Sequence, residues 1–321
     1  MGTKLKRLYK SLRNGRTAVI GIPYLWLLVF FALPFLILLR ISLTQIGPEG
    51  DPFAPLYTMV EGTMQWLLRY ENYLSIFRDS ADASGQTGQL GKTIYITAYL
   101  TSLRYAAFTA VLCLLLGYPF AYFLTRCRES LRVPLLMMVM LPFWTSLLLR
   151  VYAWKGLLAD NGIFNRLFMA LGLINEPLHM LYSDVSILVG MTYIYLPFMI
   201  LPLYANLSKM DKRLIEAAHD LGANAWKTFW LVTVPLSRAG IMAGCMLVFI
   251  PALGEFVIPS LLGGAENITI GRVVWDEMFS ANNWPRAAAL AVVMILMILV
   301  PLAVYYYYSD KQEQLQAQKG L

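Results

Sequence analysis

Reactive residue types are sparse in this sequence and gather in two places. One is segment 210–244, MDKRLIEAAHDLGANAWKTFWLVTVPLSRAGIMAG, where Glu216, Ala217 and Ala218 precede Asp220, Gly222 and, further on, Pro235. Ala217 and Ala218 are small enough to let another surface come close, Gly222 permits a sharp turn, and Glu216 can pair with a basic group on a partner. The other is Glu255, the one acid inside the long apolar runs, flanked by Pro251 and Pro259. A carboxylate is costly to hold in hydrocarbon, which makes Glu255 a functional candidate. It has two readings. It binds a cationic ligand, helped by the ring faces of Tyr152, Trp154, Tyr193 and Tyr195, or it pairs with Arg150, deep in the third apolar run, and holds packing or a gate. The aromatics have a plainer reading as interfacial anchors. Asp276 and Glu277, beside Trp275 and Trp284, either guide a cation or form a solvated loop face.

Other chemistries find no support. Cys113, Cys127 and Cys245 have no CxxC spacing, and two of them sit in apolar runs where a thiol packs as a small hydrophobe. His179 and His219 are far apart with no Cys or second His at ligand spacing, so no metal site is read. GQTGQLGKT at 85–93 approaches a nucleotide-binding P-loop, but that loop needs Gly where Gln86 stands, and no strand precedes it. It reads as a flexible linker. No Ser/His/Asp set or HExxH is present, which argues against a membrane enzyme.

The elements that must position these residues follow from composition. Of 321 residues, 58% are hydrophobic and 14% charged, well below the roughly 25% charged of soluble chains, and the mean hydropathy is +0.58. This is an integral membrane protein. Six stretches reach the roughly 20 apolar residues needed to span hydrocarbon, at 18–43, 98–124, 133–154, 185–207, 239–262 and 286–308. The first is too long, and too interrupted by Pro23 and Pro34, to be a cleaved signal. The segments expected are a basic arm at 1–17, the first transmembrane helix at 18–43, an outer loop at 44–97, a five-helix core at 98–308 that includes the loop 210–236, and a tail at 309–321. Within the outer loop, Trp66, Leu67, Tyr70, Tyr73, Leu74 and Phe77 recur at helical spacing, predicting an amphipathic helix over 61–79.

The net charge of +7 would suggest nucleic acid in a soluble chain, but here it divides by side of the bilayer. Six cations in the N-terminal arm, Arg126, Arg128 and Arg132 after the second span, five more in 209–238, and Lys311 and Lys319 in the tail all fall on one side of a six-span chain. That side is expected to be the cytoplasm, with both termini there. The opposite loops are acidic on balance, a face suited to a polycation.

From Asp211 to Leu221 the loop has helix formers, an acidic start and one apolar face, predicting a short helix that ends near Gly222. A second short helix is expected from Asn224 through Leu231, stopped by Pro235 before the fifth span. Here the chain resembles the permeases of ABC importers. Their cytoplasmic loop has EAA, three residues, Gly, nine residues and I-x-L-P, matched by Glu216-Ala217-Ala218, Gly222 and Val232-Thr233-Val234-Pro235. Two conservative valines replace Ile and Leu. The resemblance, over about 23–304, is strongest to polyamine (putrescine/spermidine) importer permeases, through LPFWTSLLLRVYAWKGLLADNGIFN (141–165), YIYLPFMILPLYANL (193–207), FIPALGEFVIPSLLGG (249–264) and IGRVVWDEMFSANNWPRAAAL (270–290).

That resemblance implies an all-α membrane fold of six transmembrane helices, the type I importer permease, in the bacterial inner membrane. It implies that the EAA loop docks into an ATPase dimer that holds ATP and Mg, so that this chain binds no cofactor. A second permease, expected to be a different chain, and a periplasmic substrate-binding protein complete the assembly, with no nucleic acid. Permeases for ferric iron, sulfate or amino acids are the alternatives, and an ion-coupled secondary transporter is a rival with less support, since no internal repeat is evident and the spans hold a single acid. Pro251, Pro259 and the GIMAG element at 240–244 predict a kinked fifth span that closely approaches a neighbour and links the loop to the pore wall.

Overall fold

The structure is a computed structural model and describes residues 15–47, 51–60, 63–66, 68–77 and 94–318. Most of the basic arm, the linker 85–93 and the end of the tail lie outside the described residues. The chain divides into two compact units, Met1–Arg78 with Glu277–Val293, and Asp79–Asp276 with Met294–Leu321.

In the first unit, helix α1 (Gly15–Ser42) continues through Pro23 and Pro34. Its most apolar window contains no buried residue, as expected of a helix surrounded by lipid rather than protein. Its last carbonyls need partners, because the final turn of any helix leaves them without internal donors. Asn72 supplies them: its Nδ2 donates to Ser42 O at 2.9 Å and to Thr44 O at 2.8 Å, and Ser42 Oγ meets Tyr73 Oη at 2.6 Å. Asn72 and Tyr73 belong to α2 (Glu71–Phe77), which is the helical part of the expected 61–79 segment among the described residues. Thr63–Trp66 pairs as strand β2 antiparallel to β1 (Tyr57–Val60), with Val60 opposite Thr63. Thr58, Val60 and Thr63 are β-branched and Tyr57 and Trp66 aromatic, so strand pairing outcompetes the helical spacing of a few apolar side chains. Among the described residues the fold is therefore helical with one small hairpin.

The second unit is built on three helices, α3 (Ile94–Arg126), α7 (Asp184–Leu207) and α11 (Arg238–Leu253), each packed against the other two. Tyr105, Cys113, Met191, Met199, Leu203 and Val248 are among the buried side chains between them. Gly240 and Gly244 of α11 lie against α7: a Cβ at Gly240 would come within 2.6 Å of Asn206 Cβ, and one at Gly244 within 2.7 Å of Met199 Sδ. Helix α3, at about 1.5 Å per residue, is about 50 Å long and must project beyond a hydrocarbon layer about 30 Å thick.

Among the described residues, four helices are long and apolar enough to cross a membrane, Val19–Ser42, Ile94–Arg126, Asp184–Leu207 and Trp284–Ala303, and two bent pairs raise the number to six if each pair is one crossing. The third expected span, 133–154, is one such pair. It consists of α4 (Glu129–Met140) with the 3-10 turn Leu141–Trp144, then α5 (Leu147–Leu158) and α6 (Ile163–Ala170), with a bend of 95°. Pro142 brings no backbone donor and Thr145 and Ser146 are extended, so the helix cannot continue. The loop 210–236 forms α8 (Lys212–Asp220), α9 (Ala225–Thr228), a π turn Phe229–Thr233 and α10 (Val234–Leu236). Pro235 sits inside this helical run; the break comes at Ser237, where the chain bends 66° into α11. The expected fifth span, 239–262, divides again after Leu253 and resumes as α12 (Val257–Leu262); α13 (Ile270–Trp275), a π turn Asp276–Ser280 and α14 (Trp284–Gln318) complete the chain.

Gly240→Val is expected to lower stability by about 1–3 kcal/mol, because the added methyls must displace Asn206 or the Pro202 carbonyl. Gly21→Ala has nothing within 4 Å and should change stability by less than about 1 kcal/mol. Thermal unfolding of both variants in detergent tests the contrast.

Candidate functional site

The EAA segment forms a helix, a tight turn and a second helix held out from the core. Asp211 caps α8, its carboxylate accepting from Arg213 N at 3.0 Å, and Asn224 caps α9, accepting from Lys227 N at 2.8 Å. Between the caps, Gly222 takes φ +81, the left-handed conformation that only glycine adopts without strain. Its amide donates to His219 O and that of Ala223 to Ala218 O, closing the end of α8. A Cβ at Gly222 would meet nothing within 4 Å, so backbone conformation, not crowding, demands glycine there.

This element presents apolar side chains to the outside: Leu221 is 88% exposed, Trp226 70% and Leu231 72%. This apolar patch lies beside the exposed Glu216, Ala217 and Asp220. On its inner side the element is bolted to α3. The Phe229 ring meets Tyr118 and Tyr122 edge-on, each at 5.5 Å, and Tyr118 Oη meets the buried Ser237 Oγ at 2.8 Å, at the bend into α11. Phe229 and Tyr118 were not among the residues singled out from sequence. Their apolar spacing is indistinguishable there from ordinary helix packing.

Glu255 occupies the break between α11 and α12. Its Oε1 accepts from Val257 N at 2.9 Å and Ile258 N at 3.4 Å, capping α12, and its Oε2 accepts from the buried Tyr195 Oη at 2.5 Å. No ion pair joins it to Arg150 among the described residues. Of the two readings of Glu255, pairing with Arg150 is not seen among the described residues; the carboxylate instead caps a helix restarting inside an apolar region. Arg150 Nε and Nη1 are buried without a hydrogen-bond partner, and its guanidinium lies 5.6 Å from the Phe143 ring. Phe143 packs edge-on against Phe198 at 5.1 Å, and Phe198 lies 6.3 Å from Tyr195. An aromatic run therefore separates the cation from the acid.

The remaining candidates scatter. Trp154 contacts Tyr193 at 5.3 Å and stacks on Phe164 at 6.1 Å, so both are partly committed to packing, while Tyr152 is exposed. Asp276 is 3.8 Å from Arg272 on the preceding turn, and Glu277 is 3.7 Å from Arg286. Trp275 stacks on Phe256 at 4.7 Å, next to Glu255 in sequence.

A polar cluster that sequence reading passed over ties three elements together. Asp184, the first residue of α7, accepts from Arg104 Nη2 at 2.5 Å, Tyr105 Oη at 2.6 Å and Asn267 Nδ2 at 2.5 Å, and Asn267 Oδ1 accepts from Gly264 N at 2.9 Å. Arg104 inside an apolar run was the available signal, because a cation there needs a partner. What the sequence could not supply was the partner, 80 residues away.

Residues 113–313 match the family described as binding-protein-dependent transport system inner membrane component. The chain belongs to that family. This permease is 35% identical over 274 residues to the spermidine/putrescine transport system permease protein PotB of Haemophilus influenzae, covering 85% of this chain and 86% of the other. It is 41% identical over 199 residues to PotB of Escherichia coli K12, covering 62% and 72%. Its fold is similar to that of a chain in the crystal structure of a bacterial ABC transporter that imports the acidic polysaccharide alginate, with TM-score 0.67, 15% identity and coverage of 95% and 99%. A second solved structure of that transporter, bound to an alginate pentasaccharide-bound periplasmic protein, matches with the same score. The permease is thus a multi-pass inner-membrane transport component and not an enzyme.

Asp184→Ala removes the acceptor shared by Tyr105 Oη and Asn267 Nδ2, leaving the Asn267–Tyr105 bond alone at the centre of the cluster, and is expected to cost about 1–3 kcal/mol. The Arg104–Asp184 pair is about half exposed, 51% and 47%, so Arg104→Gln should cost no more than about 1 kcal/mol. Thermal unfolding of the two variants side by side distinguishes a carboxylate hub from a simple ion pair.

Proposed function

We propose that the chain is the membrane-spanning permease subunit of an ATP-driven ABC importer that moves polyamines, putrescine or spermidine, into the cytoplasm by alternating access. The observation that carries the substrate is the 35–41% identity to permeases named for spermidine and putrescine. A half-buried carboxylate at a helix break, with the rings of Tyr195, Phe198 and Phe143 beside it, suits an ammonium cargo. In this reading Glu255 and Arg150 stand at opposite ends of that aromatic run as parts of the pathway or its gate. Tyr152, Trp154 and Tyr193 line the approach, and Asp276 and Glu277 draw a cation toward it.

Coupling runs through the EAA element. Glu216, Ala217, Ala218 and Asp220, with the turn at Gly222 and the helical run through Pro235, dock into an ATPase dimer whose subunits hold ATP and Mg; this chain binds neither. The exposed Leu221, Trp226 and Leu231 give that docking its apolar area. A second permease, a different chain, completes the pathway, and a periplasmic binding protein delivers the ligand. Both termini, the EAA element and the loop with Arg126, Arg128 and Arg132 face the cytoplasm, in keeping with the distribution of Lys and Arg.

Uptake of labelled putrescine, spermidine, sulfate and ferric iron by a deletion strain carrying the reconstituted operon tests the substrate. Polyamine uptake is expected, and stimulated anion or iron uptake without it overturns the assignment. Gly222→Asp is expected to reduce ATP-coupled uptake at least tenfold at normal permease abundance, since a non-glycine residue costs about 1–2 kcal/mol at that φ and the added carboxylate faces the partner. Glu255→Gln keeps an acceptor for Tyr195 while removing the charge. Uptake is expected to fall about tenfold, and an unchanged rate would remove Glu255 from the pathway.

A further inference from the structure

A cleft of about 420 Å³ opens beneath the EAA helix, between it and the ends of α3, α4 and α7. Arg126, Arg132 and Lys212 line it together with Tyr122, Ser208 and Glu216. Among the described residues none of these three cations takes part in an ion pair. Arg126 is held with its guanidinium 4.2 Å from the centre of the Tyr122 ring. Arg132 is anchored by one weak bond, Nη2 to Cys127 O at 3.4 Å, while its Nε is buried with no acceptor. A buried guanidinium nitrogen with nothing to donate to is an unmet demand of more than 1 kcal/mol, and two arginines with a lysine around one space form an anion receptor. Glu216 offsets a single charge, leaving the cleft cationic.

We propose that this cleft binds a phosphate group, either the phosphodiester of an anionic lipid or a free phosphate, and that its occupancy sets the availability of Glu216. Basic pockets between transmembrane helices at a membrane surface favour anionic headgroups, and here the cations converge where four helix ends meet. Glu216 is the one acid in the lining available to balance Arg126, Arg132 and Lys212. A bound phosphate takes over that balancing role and frees the carboxylate for a partner. The second half of this inference rests on the coupling role proposed above; the binding itself does not, and is measured separately from transport.

The test uses the full-length chain in detergent, with retained lipid counted by native mass spectrometry. Phosphatidylglycerol is compared with phosphatidylcholine of the same acyl chains, with and without inorganic phosphate. One retained phosphatidylglycerol is expected, weakened about fivefold for each cation removed in Arg126→Gln and Arg132→Gln. The matched control Arg128→Gln, which removes the same charge outside the cleft, should bind as the unaltered chain does. Arg126→Lys with Arg132→Lys keeps the charge and should retain more lipid than the glutamine pair, separating binding from misfolding. Competition by millimolar inorganic phosphate identifies free phosphate as the ligand; its absence identifies the lipid. Equal retention of both lipids without phosphate competition, or equal loss in Arg128→Gln, overturns the site. If binding holds while uptake in liposomes is the same with and without phosphatidylglycerol, the link to Glu216 is overturned and the coupling role of α8 is untouched.

Discussion

An unpaired backbone N–H or C=O in hydrocarbon costs several kcal/mol, and that cost decides where this permease can interrupt its helices. The interruptions around α12 and α13 bring their own partners. Glu255 caps the restart at α12 through two backbone amides. The other end of α12 returns Leu262 O to Ser186 Oγ and Tyr182 N, at the start of α7. The start of α13 takes its donor's partner from the buried Ser102 Oγ of α3, 2.8 Å from Ile270 N. Glu255, Ser186 and Ser102 thus each satisfy backbone groups at a break.

The same constraint explains why the EAA element can be both exposed and stiff. Its caps and its Gly222 turn are local and cost the core nothing, while Phe229, Tyr118 and Ser237 tie its inner side to the longest helix of the unit. Beyond Ser237 the chain enters α11, whose glycines allow backbone-close contact with α7. On the proposed coupling role, displacement of α8 reaches the three-helix core without a flexible joint in between, apart from the bend at Ser237. That bend and the break at Glu255 bracket α11, a helix of 16 residues.

Much of the architecture was legible in residue types. Span positions came from apolar run length, the short helix and Gly turn from capping and glycine chemistry, and both correspond to elements in the fold. Breaks were less legible. Pro34 and Pro197 sit inside continuous helices, whereas Pro142 contributes to a 95° bend, because tolerance of a missing donor depends on what surrounds it. Pairing was least legible. Arg150 and Glu255 are the obvious partners by charge, yet Glu255 is taken by backbone amides and Tyr195, and Arg104 finds Asp184 instead.

What the sequence by itself determined was the class of solvent, the positions of the long apolar runs and the position of the helix–glycine–helix element. These follow from run length and local backbone preference, which act over a few residues. Only the tertiary structure decided that Glu255 serves a helix break, that Asp184 gathers Arg104, Tyr105 and Asn267, and that Arg126, Arg132 and Lys212 converge on one cleft. Those outcomes depend on which helix faces which, and at what rotation. Long, nearly uniform apolar helices present little sequence asymmetry from which to read either.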